Sequence, residues 1–146
     1  MKILTPLLLA LALSGCARPF LLPRDEEGEV AAQRRRWESH DLDDYRFTFA
    51  RDCFCAPLGV VVVEVRDDKV VSVKELQTGN PVTGTTAQQI PTIEQLFGYI
   101  ARAADEGTYL EVEYHSSLGY PAAAEIGTLA NDAGARYSVG NVQRVR

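Results

Sequence analysis

A chain of 146 residues, 46% of them hydrophobic and 24% charged, carries enough apolar material for one domain with its own core and is too short for several. A formal net charge of -5 makes the chain a poor nucleic-acid binder, since phosphate contacts need clustered Lys and Arg and the one basic cluster, Arg34 to Arg36, is short.

The N-terminal segment reads as an export signal. Lys2 precedes an apolar run from Ile3 to Leu13, too short to span a bilayer, and Leu13, Ser14, Gly15 and Cys16 then form the tetrad of a bacterial lipoprotein cleavage and acylation site. Small residues at Ser14 and Gly15 suit a lipoprotein signal peptidase. The Cys16 thiol would become a thioether to diacylglycerol, with further acylation of palmitate type. One acyl chain binds a bilayer only marginally at about 0.8 kcal/mol per methylene, so two or three chains are what make the attachment durable. The competing reading is an ordinary secretory cut near Ala10 to Ala12 that leaves Cys16 a plain thiol. Cleavage before Cys16 removes the single charge of Lys2, taking -5 to about -6. Ala17 in place of an Asp predicts the outer membrane, facing the periplasm, where the organism has two membranes, and otherwise the outer face of the plasma membrane. This divides the chain into a signal peptide at 1–15, a lipid-attached spacer at 16–24 stiffened by Pro19 and Pro23, and one domain at 25–146.

Asp25, Glu26, Glu27 and Glu29 precede Arg34, Arg35 and Arg36, the charge order that complements a helix dipole, so Asp25 to about Glu38 is expected to be helical. Its arginines should be solvated, while Val30 and Trp37, seven apart, dock it. Tyr45, Phe47 and Phe49 alternate with Arg46, Thr48 and Ala50, predicting a strand with one buried face that continues through Cys53, Phe54 and Cys55 to Pro57. Two valine-rich runs, Gly59 to Arg66 and Val70 to Leu76, read as a hairpin. Side-chain parity favours a three-residue loop, Asp67 to Lys69, which pairs Val65 with Val71 and Val63 with Val73, with Asp68 or Lys69 left-handed.

Residues Gln77 to Ile90 are polar and without period, and read as a loop. Thr92 and Gln95 then form a capping box, and Gly107 stops the helix they open. Ile93, Leu96, Phe97, Ile100 and Ala104 make its apolar stripe. Leu110, Val112 and Tyr114 alternate with Glu111, Glu113 and His115 as a strand, and Ser116 to Pro121 turns the chain. Ala122 to Gly127 is a weak strand, Asn131 to Gly134 a turn, and Arg136 to Val142 a closing strand with Tyr137 and Val139 on one face. The order α-βββ-α-βββ predicts an α+β fold, an antiparallel sheet of about five to six strands with helices packed on one face.

Several motifs in this order resemble the bacterial domain-of-unknown-function family 6174. They are Asp44 to Phe47 followed by Cys53 to Cys55, the valine hairpin, the helix start from Thr92 to Phe97, and Leu118 to Pro121 before a last strand. The resemblance runs from about Arg36 to Val142 and implies a small exported or lipid-anchored envelope domain; it supplies no catalytic residues. Departures fall at His115 to Ser117, where family members often read Asp-Pro-Thr, and at Leu129 to Asp132 near the last turn, where they carry more acids.

With Cys16 acylated, Cys53 and Cys55 are the remaining thiols, and an oxidising exported location favours their pairing. Residues two apart in a regular strand place their Cα atoms about 6.5 Å apart, near the upper limit for a disulfide, so a bridge requires a bulge or turn. The sharper reading is a soft-metal site of Cys53 and Cys55 with His115 or His40 as a further ligand. A cysteine nucleophile lacks a marked base. Glu64, Glu111 and Glu113 read as the wet face of the sheet, and Tyr120, if exposed, as a contact residue. The expectation is a non-catalytic envelope lipoprotein that needs no cofactor. Its membrane contact is the lipid on Cys16, and it binds an envelope protein or cell-wall partner through a sheet face or through Gln77 to Ile90. The alternative is a redox or soft-metal protein acting through Cys53 and Cys55.

Overall fold

The computed structural model describes residues 25–55, 57–128 and 133–146. The segments expected to be a signal peptide at 1–15, an acylation site at Cys16 and a spacer at 16–24, with the first half of the expected turn at 131–134, lie outside the described residues.

The first element is α1, Glu26–Glu38, and its ends follow from its charges. The Asp25 carboxylate accepts from the Gly28 N–H at 3.0 Å, satisfying one of the orphan amides of the first turn, with acids beside it and Arg35 and Arg36 at the far end. Val30 and Trp37 are its buried side chains and Arg34, Arg35 and Arg36 are exposed, as the spacing predicts.

Six strands follow in one sheet among the described residues: β1 Tyr45–Cys53, β2 Leu58–Arg66, β3 Lys69–Glu75, β4 Leu110–Tyr114, β5 Pro121–Ile126 and β6 Ala135–Arg144. Between the two sets of three lie α2, Gly84–Gln88, and α3, Ile93–Asp105. The strand order is β3-β2-β1-β6-β5-β4, with every neighbouring pair antiparallel. The sheet is thus two three-stranded meanders joined through β1 and β6, with α3 carrying the chain from one outer edge to the other. This is the α+β architecture the sequence predicts.

One face of the sheet is dry. Tyr45, Phe47 and Phe49 of β1 and Val61, Val63 and Val65 of β2 are each at most 1% exposed, and Val73, Ala124 and Val139 extend the layer across β3, β5 and β6. Each fully buried side chain of this size contributes roughly 1.5–3 kcal/mol, which is what the period-two alternation was arranged to gain. Ile93, Leu96, Phe97 and Ile100 of α3 press onto this layer. The buried stripe takes in Ala103, 4% exposed, while Ala104, expected to continue it, is half-buried beside it. Thr92 and Gln95 form the full capping box, and Gly107, at φ 63°, follows the helix in the left-handed region.

The hairpin corrects one expectation. Val63 pairs with Val73, Glu64 with Ser72 and Val62 with Lys74 as parity requires, but Val65 pairs with Val70 and Arg66 with Lys69. The turn is therefore the two-residue Asp67-Asp68, with both residues left-handed at φ 46° and 59°. A bulge at Val70 and Val71 absorbs the extra residue, so the valine layer survives by a different route from a longer loop. A second correction concerns Gln77 to Ile90, which contains the single turn α2 rather than loop alone; Ala87 packs it against the core.

Candidate functional site

Because β3 ends the sheet, one of its backbone edges faces away from any strand. The chain covers part of that edge itself. Lys74 bridges Pro81 in antiparallel sense, the Glu75 N–H donates to the Asn80 carbonyl at 2.9 Å, and the Val82 N–H donates to the Val73 carbonyl at 2.9 Å. Gly84, at φ 69°, lies where the chain then leaves the edge for α2. From Lys69 to Ser72 no strand lies beside the edge among the described residues, and Val71 is 57% exposed.

Between this uncovered edge and α2 runs a groove of about 490 Å³. Val70, Val73, Val82, Ala87 and Ile90 supply its apolar lining, while the exposed side chains of Thr83, Gln88 and Gln95 add hydrogen-bonding groups. A second groove of about 480 Å³ adjoins it, sharing Asp68 and Gln95. The character of the second groove is acidic. Among the described residues, Glu38, Asp41, Asp43, Asp68 and Glu94 line it against one cation, Arg34, whose Nε donates to Glu38 at 3.0 Å.

Glu94 anchors the inner wall of this acidic groove. Its Oε1 accepts from Trp37 Nε1 at 2.7 Å and its Oε2 from the Tyr45 hydroxyl at 2.6 Å; the same hydroxyl accepts from the Ile93 N–H at 3.1 Å. One carboxylate thereby ties α1, β1 and the start of α3 together. Burial, with the Glu94 charge second, holds the Tyr45 phenol far above the usual tyrosine range.

At the opposite end of β1, Cys53 and Cys55 stand at disulfide distance with Cα atoms 5.2 Å apart. The strand stops at Cys53 instead of running on to Cys55, and the Cys55 N–H donates to the Cys53 carbonyl at 2.8 Å. This three-residue γ-type turn supplies the contraction that a straight strand cannot. Phe54 at its tip is 72% exposed.

Two candidates from the sequence are placed elsewhere. His115 does not meet the cysteines. Its ring stacks on Tyr120, which contacts Trp37, which contacts Tyr45 at the start of β1. Cys53 lies eight residues further along that strand, about 26 Å by the rise per residue. His115 Nδ1 is also occupied, accepting from the Ser117 and Leu118 N–H groups at 3.3 and 3.1 Å. A soft-metal site of Cys53, Cys55 and His115 is therefore not assembled. Tyr120 is 4% exposed, packed edge-on to Trp37, and so belongs to the core rather than to a contact surface. Glu111 and Glu113 are exposed as expected, and Glu64, half-buried, pairs with Arg66 at 3.0 Å.

The groove residues are not legible one by one in the sequence, because Val70, Val82, Ala87 and Ile90 are spread over 21 positions and only the fold collects them. The legible signal is the polar, aperiodic stretch itself. No curated protein and no solved structure matches the chain. A family model described as "Family of unknown function (DUF6174)" matches residues 29–144.

Proposed function

Because the chain belongs to this family of unknown function, DUF6174, across nearly all of its folded length, we propose that it is a non-catalytic cell-envelope lipoprotein that binds an envelope protein or cell-wall partner. Cys16 carries the lipid, and the domain from residue 25 onward does the binding, on the periplasmic side of an outer membrane or on the outer face of a single plasma membrane.

The observation that carries the binding role is the uncovered β3 edge beside its groove, formed by the stretch Gln77 to Ile90 that the sequence marks as a contact candidate. Support for a non-catalytic role comes from how the reactive groups are engaged. The two sulfurs face each other, His115 holds a turn, and Glu94 is bonded to Trp37 and Tyr45.

Two experiments test this reading. Labelled palmitate should be incorporated in cells by the wild-type chain and not by Cys16→Ser; equal labelling would remove the anchor. Cross-linking in cells followed by immunoprecipitation should recover a specific envelope protein or glycan, and recovery of neither would end the binding role. A redox role for Cys53 and Cys55 is the second reading, favoured by the exposed position of Cys55 at the rim of the sheet. An unchanged phenotype in a Cys53→Ser, Cys55→Ser double mutant would remove it.

A further inference from the structure

The binding role just proposed leaves open what chemistry the partner presents, and the following rests on that role. From the paired grooves we infer that the β3 edge receives an extended peptide segment from a partner protein. Its alternate apolar residues enter the groove beside α2, and Lys or Arg residues follow on its C-terminal side.

The backbone argument begins with what the chain already does there. Asn80 to Val82 lie along the far half of β3 antiparallel to it, through the Glu75–Asn80 and Val82–Val73 hydrogen bonds. The same edge continues uncovered from Lys69 to Ser72, about 13 Å of strand, room for about four residues of an added strand. Main-chain hydrogen bonds would supply affinity and alternate side chains specificity, the ordinary logic of strand addition. On the inner side those side chains meet Val70, Val73, Ala87 and Ile90; on the outer side they meet exposed Val71.

The charge argument fixes direction and composition. A segment that continues the sense of Asn80 to Val82 runs from Ser72 toward Lys69, so its C-terminal end arrives at Asp68, where the two grooves meet. Beyond Asp68 lie Glu38, Asp41, Asp43 and Glu94, against Arg34 as the one cation among the described lining residues. An excess of carboxylates attracts a basic flank and repels an acidic one. A second copy of this chain is a poor occupant of the same edge. Both bodies would carry the same net negative charge, which repels a second copy and attracts a basic segment.

The test uses the purified full chain and a fluorescein-labelled peptide, Thr-Val-Thr-Val-Lys-Arg-Lys, followed by fluorescence anisotropy at low salt. The expected result is saturable binding with Kd at or below about 1 mM, weakened at least about tenfold by N-methylation of alternate backbone amides and by exchange of the basic residues for Glu. The exposed positions Asp41 and Asp43 allow a variant that leaves the core untouched. Asp41→Asn with Asp43→Lys should weaken the basic peptide about tenfold and strengthen the Glu-tailed one. Absence of saturable binding, indifference to N-methylation, or a concentration-dependent dimer lost on Val71→Lys would each overturn the inference. A photo-cross-linker at Val71 and another at Ala50 on the outer sheet face separate this failure from failure of the binding role. A cellular partner captured only from Ala50 overturns the edge assignment while leaving the binding role intact, and capture from neither position, with none by general cross-linking, overturns both.

Discussion

Replacing Tyr45 by Phe removes one oxygen from the middle of the fold, and the consequences can be worked out atom by atom. The hydroxyl donates to Glu94 Oε2 at 2.6 Å and accepts from the Ile93 N–H at 3.1 Å, in a residue with no exposed surface. A hydrogen bond to a charged group contributes about 1.5–3 kcal/mol, and a buried amide left without an acceptor costs about 1–3 kcal/mol. Glu94 is half-buried and can recover part of its loss from water, so the sum for Tyr45→Phe should be about 3 kcal/mol by urea unfolding at pH 7. The pH dependence gives a second signature. Burial and the Glu94 charge raise the folded phenol above its unfolded value near 10. The stabilisation is therefore complete below pH 10 and is lost as pH rises above it, because only the unfolded chain ionises there. One group gives about 1.4 kcal/mol per pH unit, so the wild-type advantage should shrink from about 3 to about 1.6 kcal/mol by pH 11. Tyr120 and Tyr137, also raised by burial, titrate in both proteins and cancel in the difference. A deficit below about 1 kcal/mol at pH 7, or a gap that stays constant from pH 8 to 11, would refute the account of this hydroxyl.

Other substitutions separate the local devices. Gly119→Ala places a Cβ 2.9 Å from the Gln33 carbonyl oxygen at a residue with φ 79°, so turn and α1 must part; a loss of about 2–3 kcal/mol in thermal or urea unfolding is expected. Thr92→Ala deletes the acceptor for the Gln95 N–H at 3.2 Å in a residue only 2% exposed, and should cost about 1 kcal/mol with helicity lost at the start of α3 by amide exchange. His115→Phe keeps a ring against Tyr120 but orphans the Ser117 and Leu118 N–H groups, an expected loss of about 1 kcal/mol with faster exchange confined to that turn. Cys55→Ser opens a loop closed over a sequence separation of 2, so the entropic loss should be only about 1.5 kcal/mol, and a much larger one in the urea midpoint would show that the bridge shapes more than its own turn.

The elements that local physics decides are legible in the residues themselves. Charge order and two docking residues define α1, a capping box defines α3, and valine parity defines the face of β2. What is not legible depends on distant partners. Val70 and Val71 can absorb a bulge only because Asp67 and Asp68 both accept the left-handed region. Tyr120 follows a polar turn and looks exposed, yet Trp37, 83 residues earlier in the chain, covers it. The five-residue α2 has too little propensity to announce itself and is held by Ala87 against the core. The candidate groove inherits this illegibility, since two of its walls, β3 and α2, become neighbours only when Pro81 bridges back to Lys74.

The pairing of β1 with β6 at the centre of the sheet has a consequence for how the protein comes into being. Phe49 finds its partner Val139 ninety positions downstream, so the meander β1 to β3 emerges from a ribosome with its inner margin bare and waits for β6. Non-local closure of this kind slows folding, and the late arrival of the central strand keeps the nascent chain unfinished until most of it has been synthesised. For the envelope location proposed above, that delay would supply a kinetic window in which the chain can still be threaded unfolded through a membrane channel, written into the strand order alone.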